Sequence, residues 1–258
     1  MVERTRGLMA KVEVVTFCWN EMQILPWAVD YWRRYADHVT VYDNGSDDDS
    51  VEFLLQHGDF ISVEQNDTGG KIDDVRLQHL KNNAWKQFRG KADFVVVCDM
   101  DEMLIARRKA FDRMKEAGGT IASPIWYNLI SDHRPPYEPG RLLHTQRSHG
   151  VWDRKSKAII FDPNMIDEVN YLPGAHQCKP TGEVHWYCGA DMTVLHVNHG
   201  LSLGMRLADY KRNAARQSAV NLQKGYGIHY NFSEERIRQE WEAARAQVVD
   251  FAPVIEAQ

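Results

Sequence analysis

Apolar positions in the first hundred residues alternate between short unbroken runs and runs spaced like one face of a helix. Val12 to Cys18 is a strand-like run that Trp19-Asn20-Glu21 interrupts. Ile24, Trp27, Ala28, Tyr31, Trp32 and Tyr35 follow at helical spacing, with Pro26 in the first turn, where a missing N–H is tolerated. His38 to Tyr42 reads as a second strand, closed by the turn Asp43-Asn44-Gly45-Ser46, and Asp47 to Asp49 are placed to cap a helix carrying Val51, Phe53, Leu54 and Leu55. Phe60 to Val63 is a third strand. A loop through Gly69 and Gly70 leads into a long helix over Ile72 to Phe88, and Phe94 to Cys98 is an unbroken apolar run, as expected of a strand buried on both faces. This β-α-β-α-β-α-β order predicts a parallel sheet with right-handed crossovers.

The pattern changes in the second half. A helix past Ala106 to Ala117 precedes a single predicted strand, Thr120 to Leu129. The stretch from Ser131 to Gly150, rich in Pro, His and Arg, reads as a long functional loop. Short strands at Ala158 to Phe161, Val184 to Tyr187 and Thr193 to Val197 look antiparallel. Two helices, Ser202 to Gln223 and Ser233 to Val249, close the chain around a glycine-bearing segment, Lys224 to Tyr230, that suits either a flap or a plain connection.

At 258 residues the chain is long enough for one large α/β domain, and a net charge of -5 gives no basic field for nucleic acid. The four cysteines, Cys18, Cys98, Cys178 and Cys188, form no close metal-binding pair. With no signal peptide and no apolar run of spanning length, the expectation is a cytoplasmic protein with reduced thiols. At most, Arg4, Arg6 and Lys11 would touch an anionic membrane.

The candidate chemistry sits at the end of the fourth strand, in Asp99-Met100-Asp101-Glu102. Three carboxylates in four positions repel one another, so they need a compensating cation, and hard oxygen donors favour Mg²⁺ or Mn²⁺. The plainer reading of such acids is as caps of the next helix. Lys71, Asp73, Asp74 and Arg76 open the long helix after a Gly-Gly turn, either as a phosphate site or as a solvated charged face.

Three stretches at the ends of successive strands, Thr16-Phe17-Cys18-Trp19-Asn20-Glu21, Asp43-Asn44-Gly45-Ser46-Asp47-Asp48 and Asp99-Met100-Asp101-Glu102, together resemble nucleotide-sugar glycosyltransferases of the GT-A type, on the family 2-like and family 92-like branch. The resemblance covers residues 12 to 105 and extends more loosely through Lys155-Ser156-Lys157 and Asn198-His199. It implies a Rossmann-like nucleotide half at 12–105 and an acceptor-side half at 119–258 within a single domain. The implied architecture is a mostly parallel central sheet flanked by helices, with a smaller mixed sheet and C-terminal helices.

It further implies donor contacts from Thr16, Phe17, Asn20, Glu21, Asp43, Asn44, Lys71, Asp74, Asp99, Met100 and Asp101, and acceptor contacts from Glu102, Trp126 and His176. Mn²⁺ or Mg²⁺ would be held by Asp101 with Asp99 and by His199, with His196 in reserve because Gly200 stands where that branch carries Tyr. Inversion at the sugar requires a carboxylate base. Asp191 is the first candidate by its distance along the chain, with Asp167 and Glu168 as alternatives. The implied acceptor is a glycan or lipid-linked hydroxyl in bacterial surface polysaccharide synthesis. The competing classes are a nucleotidyltransferase, disfavoured by the lack of a Gly-rich phosphate loop after the first strand, and a binding protein without turnover.

Overall fold

The structure, a computed structural model, describes residues 9–153, 157–188, 191–197 and 202–256. His199, Asn198, Lys155, Ser156, Arg4 and Arg6 lie outside the described residues. The first half runs β1 (Val12–Cys18), α1 (Leu25–Trp32), β2 (His38–Asp43), α2 (Ser50–Leu55), β3 (Ile61–Gln65), α3 (Asp74–Asn83) and β4 (Phe94–Val97). These strands are parallel, in the spatial order β4-β1-β2-β3. The order reverses direction at β1, so the loops after β1 and β4 flank a topological switch point, where open α/β sheets bind ligands.

Burial explains why these elements form. β1 places Val12, Val14 and Cys18 against one core, and α1 covers that face with Leu25, Trp27, Ala28, Tyr31 and Trp32. The opposite face carries Val15, Val95 and Val97 against Trp85, Phe88 and Phe161. β4 is buried along its whole length, as its unbroken apolar run requires.

Continuing, β5 (Glu102–Ile105), α4 (Arg108–Glu116), β6 (Ile121–Ala122), β7 (Ile125–Leu129), α5 (Leu143–Gln146), β8 (His149–Asp153), β9 (Ile160–Phe161), β10 (Ile166–Glu168), β11 (Thr181–Gly182), β12 (Trp186–Tyr187) and β13 (Thr193–His196) complete the strand-rich part but one. Then come α6 (Leu203–Ala215), α7 (Ala219–Lys224), α8 (Glu234–Arg245), β14 (Val249–Asp250) and α9 (Ala252–Glu256). β9, β6 and β12 extend the main sheet beyond β4 to seven strands, and β14-β8-β7-β13-β5 form a second, mixed sheet. The architecture is therefore α/β, with a mostly parallel main sheet flanked by helices and a smaller mixed sheet, as expected.

Several boundaries differ from the sequence reading. The strand predicted over Thr120 to Leu129 breaks at Ser123-Pro124 into β6 and β7, which belong to different sheets. Proline supplies no N–H for a continuing ladder. The predicted loop over 131–150 holds α5 and the start of β8. The predicted helix over Ile72 to Phe88 begins at Asp74 and tightens into a 3₁₀ turn at Ala84–Phe88. The helix expected over Ser202 to Gln223 is two helices, because Ile72 donates to the Arg216 carbonyl and Ser218 donates to that of Ile72. These bonds tie the break to the β3–α3 connection, and the Ser218 side chain caps α7. Not all short strands are antiparallel: β12 runs parallel to β6, and β13 runs parallel to β7.

Candidate active site

The turn 98–101 leaves β4 at the switch point and re-enters the second sheet as β5. There Glu102 pairs in register with His196, and His196 with Asn128 of β7. The Val197 N–H donates to the Asp101 carbonyl at 2.9 Å, so the acidic turn is sewn directly to the end of β13. This pairing brings His196 Nε2 to 3.3 Å from Asp101 Oδ2. On its other side, His196 Nδ1 meets Asn128 Oδ1 at 2.8 Å, which fixes the ring orientation. Burial alone would lower the His196 pKa, but the adjacent Asp101 carboxylate overrides it and raises it.

The compensating cations for the remaining acids are lysines. Lys81 of α3 lies 2.6 Å from Asp99 Oδ1 and 2.8 Å from Oδ2, and Lys157 approaches Oδ2 at 3.3 Å. Lys157 also pairs closely with Glu102, whose Oε2 accepts from the Asp99 N–H at 3.0 Å. Burial works against ionisation of Asp99, but the two ammonium groups outweigh it and hold the carboxyl well below the usual range. Lys157 is only 8 % exposed and Glu102 only 2 %. Burial disfavours the Lys157 ammonium, yet Glu102 and Asp99 raise its pKa above the normal lysine range.

The premise that three unbalanced acids demand a metal is therefore corrected: Asp99 and Glu102 have protein counter-ions. Among the described residues, no group of three His, Cys, Asp or Glu is disposed to hold an ion. Asp101 and His196 remain a fitting pair of donors, a carboxylate oxygen facing an imidazole nitrogen, for a divalent cation whose other ligands come from substrate and water.

The loops after β1, β2 and β3 are tied together by the side chains expected to touch the donor. Asp43 is buried and accepts from the N–H groups of Gly45 and Ser46 and from the Ser46 hydroxyl, so it is committed to its own turn. Asn20, at φ 54°, donates to Asp47 and accepts from the N–H groups of Asp47 and Asp48. Asn44 accepts from Thr68 and donates to the Lys71 carbonyl. Asp74 is bonded to buried Asn221 of α7 through both its N–H and its carboxylate. Thr16 is fully buried with its hydroxyl unpartnered, and Met100 is core. Phe17 stacks on Tyr42 at 6.0 Å, under the Lys81 ammonium. Lys71 is exposed at the mouth, with its ammonium 3.4 Å from the Ala215 carbonyl.

Of the two remaining residues expected to touch an acceptor, Trp126 is buried edge-on to His196, with Lys157 over its ring. His176 is exposed; the charges acting on it include Lys157, Glu102 and Asp99, which sets it at the rim of the lysine–carboxylate cluster.

The three carboxylates expected to act as base are not brought to the cluster. Asp191 sits at the far end of β13 from His196, 2.6 Å from Arg113 of α4. Glu168 pairs with Lys86, and Asp167 lies beside it on β10. Asp191→Asn is therefore expected to change turnover by no more than about twofold and stability by about 1 kcal/mol or less, since its partner Arg113 is half exposed. A loss of orders of magnitude in a kinetic assay would reinstate Asp191.

The acids that do face Asp101 are Glu21 and Asp209 of α6, and sequence reasoning missed the second because a lone Asp on a helix carries no motif. Burial, then Asp101, pushes Glu21 up to about 8, while Arg212 opposes the rise. The folded state thus keeps a proton that the unfolded chain, titrating near the ordinary value of about 4.3, has lost. Stability contributed at Glu21 is full below the unfolded value and is lost as pH rises through about 8. Glu21→Gln is expected to gain stability relative to wild type between pH 6 and pH 9 in thermal melts. A constant difference across that range would mean that Glu21 titrates normally.

No protein-family model matches the chain, and no curated protein matches it. Among solved structures, it is similar to S. aureus TarS in complex with UDP, at 15% identity over 50% of this chain and 38% of that one, with a TM-score of 0.34. It is similar also to glucosyl-3-phosphoglycerate synthase from Mycobacterium tuberculosis in complex with Mn²⁺, UDP and glucosyl-3-phosphoglycerate, at 16% identity over 45% of this chain and 44% of that one, with a TM-score of 0.31. The match spans less than half the length of either protein. No helix among the described residues is long and apolar enough to cross a membrane.

Proposed function

We propose that the chain is a nucleotide-sugar glycosyltransferase. The observation that carries this reading is the Asp101–His196 pair at 3.3 Å, set beside the switch point between β1 and β4. Asp101 and His196 would hold Mn²⁺ or Mg²⁺, which would supply positive charge to the departing diphosphate. His196 must give up its proton to do so, and the Asn128 contact keeps the ring aimed at Asp101 while it does. Lys81 and Lys157 hold Asp99 ionised and oriented toward the donor ribose. Asn20, Asp43, Asn44 and Asp74 shape the loops that line the nucleotide. Glu102 supports Asp99 from behind, and Trp126 and His176 border the acceptor.

Transfer to a hydroxyl requires a group to take its proton. Glu21 and Asp209 are the carboxylates facing the cluster, so they replace Asp191, Asp167 and Glu168 in that role. The family resemblance adds a UDP-sugar donor, inversion, and a glycan or lipid-linked acceptor in bacterial surface polysaccharide assembly.

Incubation with a panel of UDP-, GDP- and dTDP-sugars plus Mn²⁺, read by mass spectrometry, is expected to release one nucleoside diphosphate in a metal-dependent manner. Tight binding without release would favour a non-catalytic binding protein, and neither binding nor release would overturn the reading.

A further inference from the structure

We propose that Arg212 and Arg216 of the α6 face, with Lys71 of the β3–α3 connection, form a phosphoanion site at the mouth of the crevice. The two guanidinium groups stand over the same Trp19 ring, Arg216 at 3.0 Å and Arg212 at 5.6 Å from its centroid. The Arg212 charge acts on Arg216, and like charges held this near repel each other, so an anion between them is favoured. The arrangement is built into the backbone. Arg216 Nε donates to the Gly70 carbonyl at 2.7 Å. Gly70 itself has φ 67°, and an added Cβ would stand 3.2 Å from Trp19 Nε1. Lys71, the next residue, brings its ammonium to the last turn of α6.

The donor groups are not used up by the protein. Arg212 Nε is buried with no hydrogen-bond partner. Among the described residues, the terminal nitrogens of Arg216 meet no acceptor, and Arg212 has a single carboxylate, Asp209 at 2.8 Å. The acids facing the two arginines are Asp209 and Glu21, which also face Arg134 and Asp101. Consistent with an uncompensated pair, burial and then the Arg212 charge bring Arg216 down to about 9. Planar guanidinium forks suit phosphate oxygens bidentately.

The site extends the glycosyltransferase reading to the phosphate chemistry of its substrates: either the donor diphosphate or a phosphate carried by the acceptor occupies it. It does not require that reading in order to bind a phosphoanion.

The test is calorimetric titration of pyrophosphate, then of inorganic phosphate, into the protein in EDTA. Wild type is expected to bind pyrophosphate, and Arg212→Gln/Arg216→Gln to bind it at least about tenfold more weakly. Should that variant fail to fold, Lys71→Gln, an exposed change, is expected to lose about threefold, and its circular dichroism melt checks the fold. Wild type that gives no binding, or folded variants that bind unchanged, would overturn the site. With a saturating nucleoside diphosphate present, continued binding of inorganic phosphate assigns the site to the acceptor, and exclusion assigns it to the donor. If no nucleoside diphosphate binds while pyrophosphate does, the site stands and the donor reading fails.

Discussion

Asp101→Ala is expected to cut sugar transfer by about 10²–10³-fold, the loss seen when a single preorganised electrostatic contact to a developing charge is removed. The side chain is partly exposed and belongs to a turn whose backbone is held by Val197 and by the Asp99–Glu102 bonds, so the fold should survive. A second readout separates this from general damage. His196 is raised above the ordinary histidine value chiefly because Asp101, joined by Glu102, overrides its burial. In Asp101→Ala only Glu102 is left to oppose burial, so the His196 resonance should titrate lower than in wild type by NMR. An unchanged His196 titration would show that the two side chains do not interact as described.

Lys157→Met is expected to be the most destabilising single change at the site. It leaves Glu102, 2 % exposed, without its counter-ion and removes one of the two ammonium groups on Asp99. Breaking a buried pair from one side costs about 3–5 kcal/mol, against a total stability of about 5–15 kcal/mol for a typical protein. Urea unfolding measures it. Lys157→Met/Glu102→Gln should recover part of the loss, because the amide still accepts from the Asp99 N–H while the orphaned charge is gone. No recovery would mean that Lys157 acts chiefly through Asp99. Acid dependence follows from the same network. The folded pKa of Asp99 is depressed, so its contribution is complete above the unfolded value near 3.9 and is lost as pH falls toward the folded value.

The first half of the chain was legible in the sequence because its signals are local. A buried parallel strand such as Phe94–Val97 advertises itself by an unbroken apolar run, and the turns after β1 and β2 by Asn, Asp and Gly. Four strands in βα alternation then leave few topologies open. What was not legible depends on contacts far apart in the chain. β5 follows the acidic turn so closely that Glu102 to Ile105 carries no strand signal of its own; its partner β13 lies some ninety residues on. That pairing selects His196 as the imidazole beside Asp101.

The lysine counter-ions were invisible for the same reason: Lys81 is one charge on a predicted helix, and nothing local marks it as the partner of Asp99. Asp191 lies at the end of β13 away from His196, a placement that position along the chain does not reveal. Asn20, Asp43 and Asn44 stand at the ends of β1 and β2, where the hydrogen bonds of Asn20 and Asn44 go to neighbouring loops and those of Asp43 to its own turn. A turn residue and a ligand-binding residue leave the same mark in sequence.

The most direct measurement is calorimetric titration of nucleoside diphosphates, UDP first, into wild type and Asp101→Ala, each with Mn²⁺ and with EDTA. The account predicts binding to wild type that strengthens with Mn²⁺ and a loss of that Mn²⁺ effect in the variant. Equal binding by the two proteins under every metal condition would place the nucleotide elsewhere and contradict the assignment of the Asp101–His196 pair.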